Sequence, residues 1–242
     1  MTLTHLFFDL HGVLIDGRRM HLCYSEQLGQ VLAARYGQTP EVWTQANRRI
    51  VADWDNYFTD LDLGGDEGID HMWEGLFRTT RALFRIVGVG EPPHEELIAL
   101  SRELPGIVTR NCDAVYTDVS AALERLTRTG LTLGVTSHAI EAQVRSSLSG
   151  GKIDLYFRGR LFGADNVGRF LKDERFYEIV ALASGVDPRA CAVIDDLPDA
   201  LRSAKQIGMT TYLVCRPDRC VESSHDPAEF DAIIRDLSEL AV

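Results

Sequence analysis

Long hydrophobic runs, closely paired cysteines, lysine and an excess of positive charge are scarce or missing in this chain of 242 residues. No apolar stretch approaches the roughly 20 residues that a membrane span requires. No basic region precedes an apolar segment at the N-terminus in the manner of a secretory leader. The net charge of −11 and the pI near 5.1 leave no overall basic footprint of the kind nucleic acids and anionic lipid surfaces demand. These absences predict a cytoplasmic protein with neither a nucleic-acid nor a membrane partner. The cysteines Cys23, Cys112, Cys191, Cys215 and Cys220 never fall at metal-ligand spacing, so reduced thiols in a reducing compartment are expected. Lysine occurs at Lys152, Lys172 and Lys205, and nowhere between Asp16 and Cys112. Internal repeats and low-complexity linkers are absent too. What is present is ordinary globular composition, 45% hydrophobic and 25% charged, long enough for one large domain or two unequal ones.

The stretch "HLFFDLHGVLIDG", residues 5 to 17, reads as a short buried strand running into Asp9 and a glycine turn at Gly12. From Tyr116 onward helices and strands alternate. A helix in "DVSAALERLTRTG" closes on Gly130, and a buried strand in "LTLGVTSHA" ends at Thr136 and Ser137. Further helices follow in "IEAQVRSSL", "DERFYEIVALASG" and "PDALRSAKQIG", with strands in "ACAVIDD" and "TTYLVC". This order predicts an α/β fold, a Rossmann-like parallel sheet with helices on both faces. The tail from Arg216 reads as a loop and a last helix. Between about Asp16 and Cys112 the pattern is helical without a convincing strand, which predicts a helical insert after the first strand. The expected division is residues 1–15 and 113–242 for the core and 16–112 for the insert.

Asp9, Thr136 and Asp196 all fall at the C-terminal ends of expected strands, the edge where open α/β sheets bind ligands. With the lysine of "FLKDERFY" and the acidic cluster of "VIDDLPD", the constellation holds carboxylates, a hydroxyl and an ammonium. Carboxylates crowded at one edge repel, and a divalent cation commonly holds them together. Mg²⁺ prefers oxygen ligands completed by substrate phosphate, and lysine with a hydroxyl suits phosphoryl oxygens. The chemistry indicated is phosphoryl transfer, with one carboxylate as the nucleophile.

In order along the chain, "FFDLHGVLID", "LGVTS", the lysine before "FYEIVALASGV" and "AVIDDLPDALRSAKQIGMTT" resemble the four motifs of the haloacid dehalogenase (HAD) superfamily. The resemblance covers nearly the whole chain, because the helical insert lies where that family carries a helical cap. It implies a Mg²⁺-dependent hydrolase acting on a small phosphorylated metabolite, as monomer or homodimer. By resemblance, Asp9 becomes an aspartyl-phosphate, Thr136 holds a phosphoryl oxygen, and Lys172 neutralises charge; Ser137, beside Thr136, is a further substrate-binding candidate. Asp196 binds Mg²⁺ with Asp9 and the His11 backbone carbonyl, with Asp195 and Asp199 as secondary members of the metal shell.

His11 stands where the family's first motif has a second aspartate, the group that protonates the leaving alcohol and then activates water. Histidine is able to do acid/base work near neutral pH, so His11 is a catalytic candidate. The family's 2-haloacid dehalogenases also lack an acid there, but they work without metal and are not expected to keep the "DD" pair. Its phosphonate-cleaving branch needs a cap lysine that this chain does not have. A phosphomutase and a catalytically weak binding protein are the remaining alternatives. Arg18 and Arg19, at the entry to the insert, are the candidates to meet the non-phosphoryl end of the substrate. The aromatic cluster of Trp43, Trp54, Tyr57, Phe58 and Trp73 is expected to be cap core.

Overall fold

The computed structural model describes residues 2–216, 226 and 228–241. Six strands, β1 (His5–Asp9), β2 (Thr132–Thr136), β3 (Leu161–Phe162), β4 (Cys191–Asp195), β5 (Thr210–Val214) and β6 (Ala232–Ile234), form one sheet in the order β3-β2-β1-β4-β5-β6. Every strand pair is parallel. Successive residues of a strand point to opposite faces, and β1 shows the result. Leu6 and Phe8 enter one apolar cluster, with Val119 and Leu123 of helix α5 (Val119–Arg128) and Val144 and Leu148 of helix α6 (Glu141–Gly150). Phe7 enters the other, with Phe176, Tyr177 and Val180 of helix α8 (Glu174–Ser184) and Leu201 and Ala204 of helix α9 (Pro198–Gln206). A short helix, α7 (Ala164–Val167), follows β3. With both faces covered, the central strands need apolar residues at nearly every position, which is why they read as continuous apolar runs.

Helices α1 (Gly17–Tyr36), α2 (Pro40–Ala52), α3 (Gly68–Val87) and α4 (His94–Thr109) occupy the chain between β1 and α5. They share an apolar cluster of their own, in which Trp43, Phe84, Leu28, Leu32, Leu97 and Leu100 are buried. Trp43 belongs to this core as expected, whereas Trp54 remains 42% exposed. Helix α1 begins earlier than its apolar pattern suggests, because the Asp16 carboxylate accepts from the backbone N–H groups of Arg18 and Arg19 and caps it. Helix α4 passes through Pro105 and runs on to Thr109.

The chain enters and leaves this helical layer through two adjoining connectors. Asp16 N–H donates to the Ala114 carbonyl at 2.8 Å, and Ile15 forms an antiparallel bridge with Val115. A disulfide between Cys23 on α1 and Cys112, just past α4, fastens them across 89 residues of sequence. This pairing corrects the expectation of reduced thiols. The two cysteines are far apart in sequence, and only the return of α4 beside α1 brings their Cα atoms to 5.8 Å. Cys191 is free and buried. The tail also differs from expectation. Among the described residues of the tail, β6 extends the sheet and a 3₁₀ turn follows at Leu237–Glu239, where a last helix was expected. Residues 217–225 of the expected loop lie outside those described. Among the described residues, no helix is long and apolar enough to cross a membrane.

Candidate active site

Parallel pairing aligns strand ends, and that alignment assembles the site. Asp9 and Thr136 are direct partners in the β1–β2 register, and Phe8 pairs with Ile194 on the other side, so Asp195 follows at the same edge. The chain crosses to opposite sides of β1 in reaching β2 and β4, which makes this edge the switch point where α/β sheets bind ligands. After Asp9 the backbone turns sharply at Gly12, whose φ of 97° is one that residues with a Cβ rarely adopt. His11 lies between Asp9 and this turn and lines a cavity together with Asp9.

Lys172 reaches the site from the loop before α8. Its neighbour Asp173 is the N-cap of that helix, accepting from the Phe176 N–H at 2.9 Å, and Arg169 pairs with the same carboxylate. So anchored, the Lys172 ammonium donates to Asp9 Oδ1 and to Asp195 Oδ2, each at 2.6 Å, with its side chain fully buried. Oxygens of Asp9, Asp195 and Asp196 lie within 4.8 Å of one another. Three carboxylates against one ammonium leave excess negative charge in a low-dielectric pocket.

The protonation equilibria register that excess. Burial pushes the Asp9 carboxyl above the usual range, with the nearby Asp196 charge adding to it and Lys172 opposing. Burial likewise pushes Asp195 up to about 6 against the pull of Lys172. For Lys172 burial disfavours the charge, but the Asp195 and Asp9 carboxylates outweigh it and keep the ammonium charged well above its usual range. His138 is driven the other way, down to about 3, by burial and by the charge of Lys172. Its ring is a neutral wall of the site, tilted against Phe170 at 5.4 Å.

Asp9, His11, Ser137, His138, Asp196 and Leu197 line a small cavity of about 160 Å³ at the strand ends. The Thr136 hydroxyl is buried without a hydrogen-bond partner. An orphaned buried hydroxyl is costly, and a ligand oxygen beside Asp9 would satisfy it. The Ser137 hydroxyl accepts from the Ala139 N–H at 3.1 Å and shapes the turn after β2. Asp195 is engaged twice over, by Lys172 and by the Leu197 N–H at 2.9 Å, which leaves Asp9 and Asp196 as the carboxylates lining the cavity. Hard oxygen donors of this kind suit a divalent cation.

The structure therefore brings Asp9, His11, Thr136, Ser137, Lys172, Asp195 and Asp196 to one edge. It does not bring Asp199, whose carboxylate is exposed and paired with Arg202 one turn along α9. Nor does it bring Arg18 or Arg19 to the cavity. Arg18 is exposed, and the Arg19 guanidinium donates to the carbonyls of Asp113 and Val115, bracing the two connectors. Sequence inspection missed Tyr177, fully buried beside the Lys172 cluster with its hydroxyl unpartnered. On an amphipathic helix a tyrosine reads as core, and its sequence offers no further signal.

A strand-end carboxylate bonded to a buried lysine, beneath a helical layer inserted after the first strand, defines a hydrolase of one class. Residues 3–208 match the haloacid dehalogenase-like hydrolase family, and the chain belongs to it. Phosphatase MT3486 of Mycobacterium tuberculosis (strain CDC 1551 / Oshkosh) is 32% identical over 130 residues, 52% of this chain and 54% of that protein. The match thus spans about half the length of this relative. Among solved structures, a HAD phosphatase from Thermococcus onnurineus superposes with a TM-score of 0.60 at 20% identity, over 99% of this chain and 95% of that one. The L-2-haloacid dehalogenase of Xanthobacter autotrophicus gives 0.59 at 16%, over 98% and 96%. YfnB of Bacillus subtilis, solved with magnesium, gives 0.66 at 13%, over 99% and 97%. At these identities the solved structures establish the fold.

Proposed function

We propose that the chain is a Mg²⁺-dependent phosphatase that hydrolyses a small phosphomonoester through an aspartyl-phosphate on Asp9. The observation that carries this reading is the Asp9 carboxylate bonded to buried Lys172 in a cavity that also holds Asp196, with the orphaned Thr136 hydroxyl on the residue paired with Asp9 in the neighbouring strand. The carboxylate of a 2-haloacid would meet the Asp196 charge there, and no arginine is among the described residues lining the cavity to offset it. The naming of the Mycobacterium relative as a phosphatase and the magnesium in YfnB support the same reading.

In the reaction Asp9 attacks phosphorus while the bond to the alcohol oxygen breaks, and the departing oxygen takes up a proton. Water then attacks the aspartyl-phosphate, releasing inorganic phosphate and restoring the carboxylate. Lys172 holds Asp9 in place and sets positive charge beside the phosphoryl oxygens, and the Thr136 hydroxyl donates to one of them. His11 lines the cavity two residues beyond the nucleophile, where the leaving oxygen would lie. Mg²⁺, held by Asp9 and Asp196, would neutralise phosphoryl charge that Lys172 alone does not balance.

Phosphate release from p-nitrophenyl phosphate tests this. Turnover should require Mg²⁺ and fall more than about a thousandfold in Asp9→Asn. Turnover indifferent to Asp9→Asn, or metal-free halide release from 2-chloropropionate, would sink the proposal. A phospho-enzyme stable until a sugar phosphate is supplied would make the protein a mutase instead.

A further inference from the structure

A second, larger cavity lies inside the helical layer. Its volume is about 430 Å³, and His11 belongs to its wall as well as to the wall of the small cavity over Asp9. A phosphate seated on Asp9 would therefore have its alcohol directed past His11 into this space. The wall is largely apolar, with Met20, Leu28, Ile50, Leu83 and Leu104 all buried against it. No Lys, Arg, Asp or Glu is among the described residues lining it.

Several of its polar groups are already committed. The Thr79 and Thr80 hydroxyls donate to the Leu76 carbonyl at 2.9 and 2.8 Å, and the Ser101 hydroxyl donates to the Ile98 carbonyl at 2.7 Å. The Asn47 amide donates to the Ser25 hydroxyl at 3.0 Å. A polyhydroxylated or charged alcohol entering here would lose its water and find few groups to replace it, since the remaining polar lining is His11, His21, Tyr24, Trp54 and Gln143, with no carboxylate, ammonium or guanidinium among the described residues. A hydrocarbon framework loses nothing and gains the burial. Tyr24 and Gln143, which also line the wall, have no side-chain hydrogen bond within the described residues. They offer one or two polar contacts to fix orientation, the usual pattern of a small-molecule pocket.

We propose that the substrate is the phosphate monoester of a neutral, mainly apolar alcohol, aryl or branched alkyl, with at most one or two hydrogen-bonding groups. At about 30 Å³ per water-sized unit the cavity holds roughly ten to fifteen non-hydrogen atoms. The inference rests on the phosphatase reading but concerns the alcohol alone. Sugar phosphates, phosphoglycolate and nucleotides are excluded as preferred substrates.

The test compares kcat/KM, by phosphate release, for 2-naphthyl phosphate, methyl phosphate, glycerol 3-phosphate and phosphoglycolate. The expected result is 2-naphthyl phosphate at least tenfold above each of the others, mostly through KM. In Thr80→Phe, which fills the cavity, the ratio of naphthyl to methyl phosphate should collapse at least tenfold. Val51→Trp, from the half-buried rim, serves as a second lesion if Thr80→Phe does not fold. Equal rates across the panel, or a preference for glycerol phosphate or phosphoglycolate, would overturn the inference while leaving the phosphatase reading intact. If no ester is hydrolysed, that reading fails and fluorescence titration with 2-naphthol still decides the cavity. Saturable binding weakened at least tenfold by the filling variant supports an apolar occupant; absence of binding to the wild type rejects it.

Discussion

The Lys172 ammonium lies between two buried carboxylates, and that placement decides much at the scale of single residues. It keeps Asp9 oriented and offsets part of the repulsion among Asp9, Asp195 and Asp196. Removing one partner of a buried ion cluster leaves charge uncompensated, at a cost of about 3–5 kcal/mol. Lys172→Met should therefore lower unfolding free energy by an amount in that range, measured by urea titration in EDTA, as well as abolishing turnover. A variant that loses turnover at undiminished stability would show that Lys172 is not the structural clamp the 2.6 Å contacts indicate. Asp9, Thr136 and the Asp195–Asp196 pair were legible in the sequence, because strand-end polar residues interrupt apolar runs; Lys172, in the loop before α8, was picked out with the help of the family resemblance. The division of labour between the two aspartates was not. It depends on Asp195 being turned toward Lys172 and the Leu197 N–H, and that turn has no sequence signature.

At the scale of elements, the two connectors between sheet and helical layer are the notable device. The Ile15–Val115 bridge, the Arg19 contacts and the Cys23–Cys112 disulfide all join them at one place. A covalent link across 89 residues removes considerable freedom from the unfolded chain; such links contribute about 2–5 kcal/mol. Cys23→Ser should lower the melting temperature under oxidising conditions, and dithiothreitol should lower that of the wild type by at least as much. Identical melting of wild type and variant in the absence of reductant would show that the bond does not form in solution. The helical character of the insert was readable from its 3.6-residue periodicity. The start of α1 was not, since its first turns are carried by the Asp16 cap in place of an apolar face. Strand β6 escaped notice because three residues on a sheet edge carry too short an alternation to register.

At the scale of the whole molecule, the sheet supplies the chemistry and the helical layer the larger space above it, with His11 where the two meet. The excess negative charge at the sheet edge predicts linkage between cation binding and folding. With Mg²⁺ at a hundred times its dissociation constant, unfolding free energy should rise by about 2.7 kcal/mol. Asp196→Asn should lose most of that increment at the same concentration, as read by calorimetry. A wild type whose melting is indifferent to Mg²⁺ would argue against a cation at Asp9 and Asp196.

The sequence alone determined the α/β class, the helical insert and the order of the polar strand ends, because periodicity and apolar runs are local properties of a chain. Tertiary structure decided which of those polar groups meet, which cysteines pair, and that Arg18, Arg19 and Asp199 stand apart from the site. It also decided the apolar character of the cavity above His11. That wall gathers residues from five helices scattered over more than a hundred positions, and such convergence exists only once the helices have packed.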